Sequence, residues 1–409
     1  MEGIQELRKL ARQYFEAAMS PVNIERMDLH RAVNDLRMIR PVVLIDEIPF
    51  HELDFDGSLT LRCTDPLLRH VEDYFRKKLF QWKYFPADMV LPPYYPVYKV
   101  IKDTGNGVEI KDDKVYFDEQ QRGIAAHYYE DQLAAPEDVD KIKLPVITYD
   151  KETTMAKWSK ISEAIGDVIP VRIVGYGACG AAPWDQIAMY RGVDNLLVDL
   201  VEEPEHMHRI VSKIYECEIS RAKQKEEQGL LDVENYSLHC TAALCSDIGK
   251  DYDGGKVLRK QVWGRGMAQI FASVSKQMHE EFDINYMIEY MKHFALNYYG
   301  CCEPLDRKMD IVEKIPNLRK VSITPWADVD VAAEVIGKKY VLANKPNPAA
   351  VSLRLDEEAL RKELGRTLAA VKRNGCSCDI VLKDISSAGH NLQNMVRWEQ
   401  IAMEMVKNC

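Results

Sequence analysis

Short apolar runs alternate with longer segments of helical period along most of this 409-residue chain. Strands joined by helices in a parallel sheet require that alternation. The first run, Val42-Val43-Leu44-Ile45, gives way to Asp46-Glu47 and then Pro49. Further runs fall at 86–91, Val171–Val174, 232–238, Ala295–Tyr298, 320–323, Tyr340–Ala343 and Asp379–Leu382. That makes eight, the number that closes an α/β barrel. A ninth run, 268–274, reads as part of an excursion after the fourth strand that begins near the glycine-rich stretch 249–266. Between the strands, 205–228 carries Met207, Ile210, Val211, Ile214 and Tyr215 at helical spacing, with Pro204 at its start and Gly229 as a stop. Segments 276–293, 355–374 and 391–407 follow the same pattern. Residues 102–165 interrupt the alternation with a Thr-Gly-Asn-Gly turn and a hairpin-like run, and read as an insertion between strands two and three. No repeat, low-complexity tract or linker calls for a second domain. The expectation is one α/β domain over 1–409, with 1–40 as a helical extension.

Composition narrows the function classes. Lys and Arg total 54 against 64 Asp and Glu, a formal charge of −10, which argues against a protein that coats nucleic acid. Ten unevenly spaced cysteines are too few for a disulfide scaffold and suggest a reducing cytoplasm. The N-terminal segment mixes acids and bases along an amphipathic helix, unlike a signal peptide. No apolar run approaches the ~18 residues of a membrane span, so neither a membrane nor nucleic acid is an expected partner.

In a barrel of this kind the reacting groups sit at the C-terminal ends of the strands. Strand one is followed by Asp46, Glu47 and His51; Asp88 lies near strand two, with Pro92-Pro93-Tyr94-Tyr95 after it. Strand three leads to Gly175-Tyr176-Gly177-Ala178-Cys179-Gly180 and then Pro183-Trp184-Asp185, and strand four to His239-Cys240. Strand five leads to Tyr298-Tyr299-Gly300-Cys301-Cys302-Glu303, six to Pro325-Trp326, seven to Asn344-Lys345, and eight to Ser386-Ser387-Ala388-Gly389-His390. Asp46 and Glu47 read equally well as solvated loop carboxylates. The glycines of 175–180 superficially match a dinucleotide fingerprint, but Pro183-Trp184 interrupts the helix start and no suitable acid follows about 20 residues on. A tight turn bringing backbone close to a ligand is the better use of them. Cys301-Cys302-Glu303 is the most suggestive point, since thiolates and a carboxylate hold Zn²⁺, with His239, Cys240, Cys245 and His390 as further donors. Buried, unreactive cysteines are the alternative. Tyr94, Tyr176, Trp184, Tyr299 and Trp326 at strand ends fit a flat aromatic ligand, or else fill the core.

Together Arg40-Pro41-Val42, GYGACGAAPWD (175–185), KQMHEEFDINYMIEYM (276–291), NYYGCCEPLD (297–306) and Asn344-x-x-Asn347-Pro348 resemble the uroporphyrinogen decarboxylase superfamily, most closely its corrinoid-dependent methyltransferase branch. The resemblance runs from about residue 40 to the end. It implies a single (β/α)8 barrel. The decarboxylases carry a basic, glycine-bearing loop after strand one where this chain has the acidic DEIPFHEL (46–53), which repels a polycarboxylate, although Asp88 falls near their pyrrole-binding aspartate. The coenzyme M branch carries a His-x-Cys pair where this chain has Tyr299-Gly300-Cys301. The remaining likeness is to the ether-cleaving component of anaerobic O-demethylase systems. It implies methyl transfer from an aryl methyl ether to the Co(I) corrinoid (cobalamin) of a separate carrier protein, with zinc as an optional cofactor. A Glu-x14-Glu-x20-His zinc spacing of such enzymes maps onto Glu203, Glu218 and His239, but the two glutamates lie ~22 Å apart along one helix. Only His239 is carried forward. The resemblance then implies metal donors His239, Cys301, Cys302 and Glu303, proton donors or orienting groups among Asp46, Glu47, His51, Asp88 and His390, and Tyr94, Tyr176, Trp184, Tyr299, Trp326 and Asn344 around the substrate. A decarboxylase, or a non-catalytic corrinoid-binding accessory protein, is the rival reading. A homodimer is left open.

Overall fold

The computed structural model describes residues 3–116 and 125–409. Two helices, Ile4–Ala18 and Pro21–Asn34, precede the first strand, as the extension predicts. Seven strands then build one wholly parallel sheet. Its spatial order is Val42–Ile45, Ser377–Leu382, Val341–Asn344, Leu318–Ile323, Leu296–Tyr299, Trp263–Gly266 and Ala178–Ala181. Helices such as Pro204–Glu227, Glu357–Asn374 and Leu392–Lys407 form within a residue or two of the expected bounds. The Glu357–Asn374 helix carries each end signal: Asp356 accepts from Ala359 N, Glu357 and Glu358 open it, Lys372 and Arg373 close it, and Gly375 takes the left-handed conformation at φ 66°. Between Lys276 and Met291 one continuous helix contains a π-turn at Glu280–Ile284.

Among the described residues the parallel sheet has seven strands and does not close on itself. Prolines 86, 92 and 93 bracket the expected second strand, which lies beside the first without joining its ladder. Asp88 N donates to Val43 O, while the Asp88 carboxylate accepts from Val43 N at 2.9 Å and so replaces a strand's carbonyl. Val171–Val174 pairs instead with Tyr95–Tyr98, outside the main sheet. Within the expected fourth strand, only Ser237–Leu238 is extended, and it pairs only with Thr241–Ala242 in a hairpin. The strand in fourth place is Trp263–Gly266, inside the stretch read as a glycine-rich excursion, and 269–272 is a 3-10 turn. A Cβ on Gly264 would lie 2.1 Å from Asn297 Oδ1, and one on Gly266 would lie 2.4 Å from Met287 Sδ. Those glycines are packing requirements of a strand. Likewise Gly175 and Gly177 press against Leu230 O and Asn235 Cβ, 2.4 and 2.5 Å from where a Cβ would stand, and their backbone borders a cavity.

Alternation divides the sheet's two faces. Val43, Ile45, Tyr299, Val321, Ile323, Leu342, Ile380 and Leu382 face the helices and join the main apolar core. The opposite face presents Trp263, Tyr298, Lys320, Ala343 and Asp379, and the 237–245 segment packs on it. Lys320 Nζ donates to Asp379 Oδ2 (2.8 Å), Thr241 Oγ1 (2.9 Å) and Ala242 O (2.9 Å), all buried. Trp263 Nε1 donates to Ala243 O, and Asn34 Nδ2 to Ala242 O and Leu244 O. A polypeptide arm thus fills the inner face, and its polar backbone groups are satisfied by side chains placed there for that purpose. No helix of the described residues is long and apolar enough to cross a membrane.

Candidate functional site

The tip of the inner hairpin, His239-Cys240, emerges at the C-terminal ends of the strands. Lys345, one residue beyond the Val341–Asn344 strand, holds it there by donating to Cys240 O. Glu47, just past the first strand, lies 3.7 Å from His239 Nε2 and accepts from Cys240 Sγ at 3.4 Å. One donor atom each from Glu47, His239 and Cys240 falls within 4.8 Å of the others. Across the site, Cys301 Sγ and Cys302 Sγ are 3.6 Å apart, and Lys383 Nζ stands 3.6 and 3.5 Å from them. Asp384 completes the ring: its N donates to Glu47 Oε2 (2.8 Å), and its carboxylate meets Lys383 at 2.7 Å and Cys302 Sγ at 3.7 Å.

Backbone strain converges on the same place. Seven non-glycine residues have positive φ among the described ones, and three of them, Glu47 (52°), Cys240 (54°) and Asp384 (55°), meet here. Such conformations cost about 1–3 kcal/mol each and persist where the surroundings enforce them, typically at functional sites.

The electrostatics separate two kinds of thiol. Cys301 is pulled well below the ordinary thiol range by the Cys302 S–H donating to it, helped by His239, Lys383 and Arg265, while Cys302 is pushed up by the same contact. The Lys383 ammonium, 3.6 and 3.5 Å from the two sulfurs, favours a negative charge on the pair. Cys240 is pushed up by burial, with Asp46 and Glu47 adding to it, so it remains a thiol until a cation joins it. Burial, with the Cys301 charge adding to it, lifts Asp185 to about 6, and Gln269 steadies it by donating at 2.8 Å. Burial also lowers Lys345 to about 8.

Of the residues expected at the site, Glu47, His239, Cys301 and Cys302 come together. Asp46 lies beside them and borders a neighbouring cavity together with Tyr94, whose hydroxyl donates to Glu234. The others stand elsewhere. Glu303 turns back into the core, accepting from Ala268 N and Cys301 N, so it shapes the thiol loop from behind instead of facing a metal. The Asp88 carboxylate is consumed by Arg40 and Val43 N. His51 is exposed beside Glu52, and His390 gives only its backbone N–H to that same Glu52. Tyr299 follows the inward-facing Tyr298 by one residue and so points to the helices, its hydroxyl donating to the buried Asp283. Trp184 is core filling against Phe271, Tyr176 donates to Lys99 O, and Trp326 is 72% exposed. Asn344 is buried at its strand end. Reading strand eight's end from Ser386 onward passes over Lys383-Asp384. Their signal is a charged pair directly after six buried strand residues.

The donor set suits a borderline-soft cation such as Zn²⁺: one imidazole, one carboxylate and one thiol, with the Cys301 thiolate against His239. Glu47 and His239 are open to solvent, which leaves access for a further ligand.

No family model matches the sequence, and no curated protein matches it. Among solved structures, the chain is similar to a methyltransferase from Methanosarcina mazei. The two superpose over 93% of this chain and 98% of that one, with a TM-score of 0.51 at 11% identity. At that identity the likeness is one of fold: a large parallel sheet wrapped by helices, in a form that a methyltransferase uses.

Proposed function

We propose that the protein is a methyltransferase that breaks a methyl–oxygen bond of an aryl methyl ether at the strand ends, the methyl group passing to the Co(I) corrinoid of a partner protein. The observation that carries the proposal is the Glu47–His239–Cys240 donor set, strained at Glu47 and Cys240 and open to solvent at Glu47 and His239, beside a lysine-held thiol pair. Methyl ethers resist cleavage because phenolate leaves poorly, so the site must supply positive character at the ether oxygen. Glu47, His239 and Cys240 would hold a zinc ion, which when bound would supply Lewis acidity there. The chain's own groups do the rest. Lys383 holds the Cys301 charge in place, Asp384 orients Glu47 through its backbone N–H, and Lys345 fixes the hairpin tip by its backbone. Asp185, lifted to about 6 by burial and the nearby Cys301 charge, is a group that could donate a proton. A carrier protein docks over the open strand ends, where the exposed Trp326 offers an apolar contact.

The test is anaerobic incubation with a reduced corrinoid carrier and a panel of methoxylated phenols, betaines and methylamines, following loss of the Co(I) absorbance. Methoxyphenols alone should give the change. Silence across the panel, with a carrier competent toward another methyl donor, removes the proposal.

A further inference from the structure

A second cavity, of ≈ 340 Å³, opens between the first strand and the Tyr95–Tyr98/Val171–Val174 pair. Its walls are aromatic, with Tyr74, Tyr94, Tyr95, Tyr98 and Tyr236 all lining it. The volume sits at the low end of the about 300–1,000 Å³ usual for small-molecule pockets, which suits a single ring.

The charged groups around it are not equivalent. Glu234 is saturated by Arg172 (2.8 Å), Tyr236 (2.6 Å) and Tyr94 (3.1 Å). His30 gives its Nε2 proton to Asp88 O, and burial lowers it to about 4, so it is neutral. Asp46 is exposed to water and caps Glu47 N. Lys78, on the Pro66–Tyr84 helix, is different: it lines the cavity and has no hydrogen-bond or ion-pair partner among the described residues. Burial lowers its pKa, and Asp46 is the one charge that opposes this from a distance. Lys78 is half-buried, and an ammonium that faces a partly enclosed cavity without a counter-ion offers a place for an anion from outside. Two adjacent residue pairs form the partition to the donor cluster. Asp46 and Thr241 border the cavity, and their neighbours Glu47 and Cys240 belong to the cluster.

We propose that this cavity binds a small aromatic carboxylate, with its carboxylate on Lys78 and its ring among the tyrosines. The proposal rests on the methyl-transfer reading only for what the bound ring then undergoes.

Calorimetric titration of the full chain, with no corrinoid present, compares benzoate with its neutral isostere benzamide and with benzyltrimethylammonium. Benzoate should bind at least about tenfold more tightly than benzamide, the worth of one charge-assisted hydrogen bond. Lys78→Met should bring benzoate down to the benzamide level while leaving benzamide unchanged, and Lys78→Arg should keep most of the preference. Equal binding of benzoate and benzamide, tighter binding of the cation, or benzoate affinity indifferent to Lys78→Met would each overturn the proposal. If Lys78→Met does not fold, the ratio in the unaltered protein decides. Benzoate binding without methyl transfer from any ether leaves the anion site standing and removes the activity; methyl transfer from neutral ethers without benzoate binding does the reverse.

Discussion

Replacing Lys320 by methionine tests how the inner hairpin is held. The side chain is fully buried, as is Asp379, and its ammonium serves three acceptors: Asp379 Oδ2, Thr241 Oγ1 and Ala242 O. Methionine fills much of the volume but leaves the Asp379 carboxylate in the interior with Thr241 Oγ1 and a long contact to Ala242 N. Removing one partner of a buried pair costs about 3–5 kcal/mol, because the other charge stays behind uncompensated. With an unfolding entropy of about 2 cal/mol/K per residue, a chain of this length loses about 5 °C in Tm for 4 kcal/mol. Calorimetry reads that shift, and hydrogen exchange over 237–242 should show those amides opening before the sheet. The double variant Lys320→Met/Asp379→Leu removes both charges and should recover most of the loss. A single variant within about 1 kcal/mol of the unaltered protein, or a double variant as damaged as the sum of its parts, would refute the account of the pair as the hairpin's anchor.

Three further outcomes follow from the site and its support. Glu47→Gln, His239→Ala and Cys240→Ser should each weaken zinc retention against a chelator by more than the about 10- to 100-fold typical of losing an outer-shell partner; unchanged metal content in all three would remove the donor set. Lys383→Met should return the Cys301 thiol toward its ordinary range and slow alkylation by iodoacetamide at pH 7, with the modified residue located by mass spectrometry, and an unslowed rate would mean that Lys383 does not hold the charge. Burial lifts Asp283 to about 7 despite hydrogen bonds from Tyr215 and Tyr299. The raised pKa favours the folded state below the ordinary carboxyl range, and that contribution is lost as pH rises through about 7. Asp283→Asn should therefore gain in Tm relative to the unaltered protein as pH rises from about 4 to 8, by up to about 4 kcal/mol over that range; a flat difference curve would contradict the buried, protonated state.

Sequence legibility followed burial. Val42–Ile45, Val341–Asn344 and Ser377–Leu382 are strands buried on both faces, and such strands read as unbroken apolar runs. Trp263–Gly266 hides in its glycines because neighbouring side chains press directly on its backbone, and that demand is tertiary. Asp88 is deceptive for a related reason. An acid near a strand end looks chemical, yet here it serves as the hydrogen-bond acceptor for a chain segment that prolines keep out of the ladder. At the site, Glu47 and the two adjacent cysteines were visible as strand-end residues. His239-Cys240 was visible as well, as a donor pair at the end of an expected strand, although what carries it to the site is a hairpin tip.

That hairpin links fold to chemistry. In a closed eight-stranded barrel, side chains fill the interior in layers. Here seven strands leave the inner face to a polypeptide arm. From the tip held by Lys345, Thr241 and Ala242 lead past Lys320 and Asp379. The arm then runs to the opposite end of the sheet, where Ser246 N donates to Asp35 and Asp247 pairs with Arg319, next to the start of its strand. Backbone buried this way needs polar partners, which accounts for a lysine, an aspartate, a threonine and an asparagine in what would otherwise be apolar space. Because both ends of the arm are fastened, the tip has little freedom, and the positive φ of Cys240 is enforced by contacts on either side of it. Two donors therefore come from an inserted hairpin, one from the first strand, and the lysine-held thiols from the opposite edge of the site. The spacing between donors along the chain consequently carries no motif, and their convergence depends on how the arm is seated.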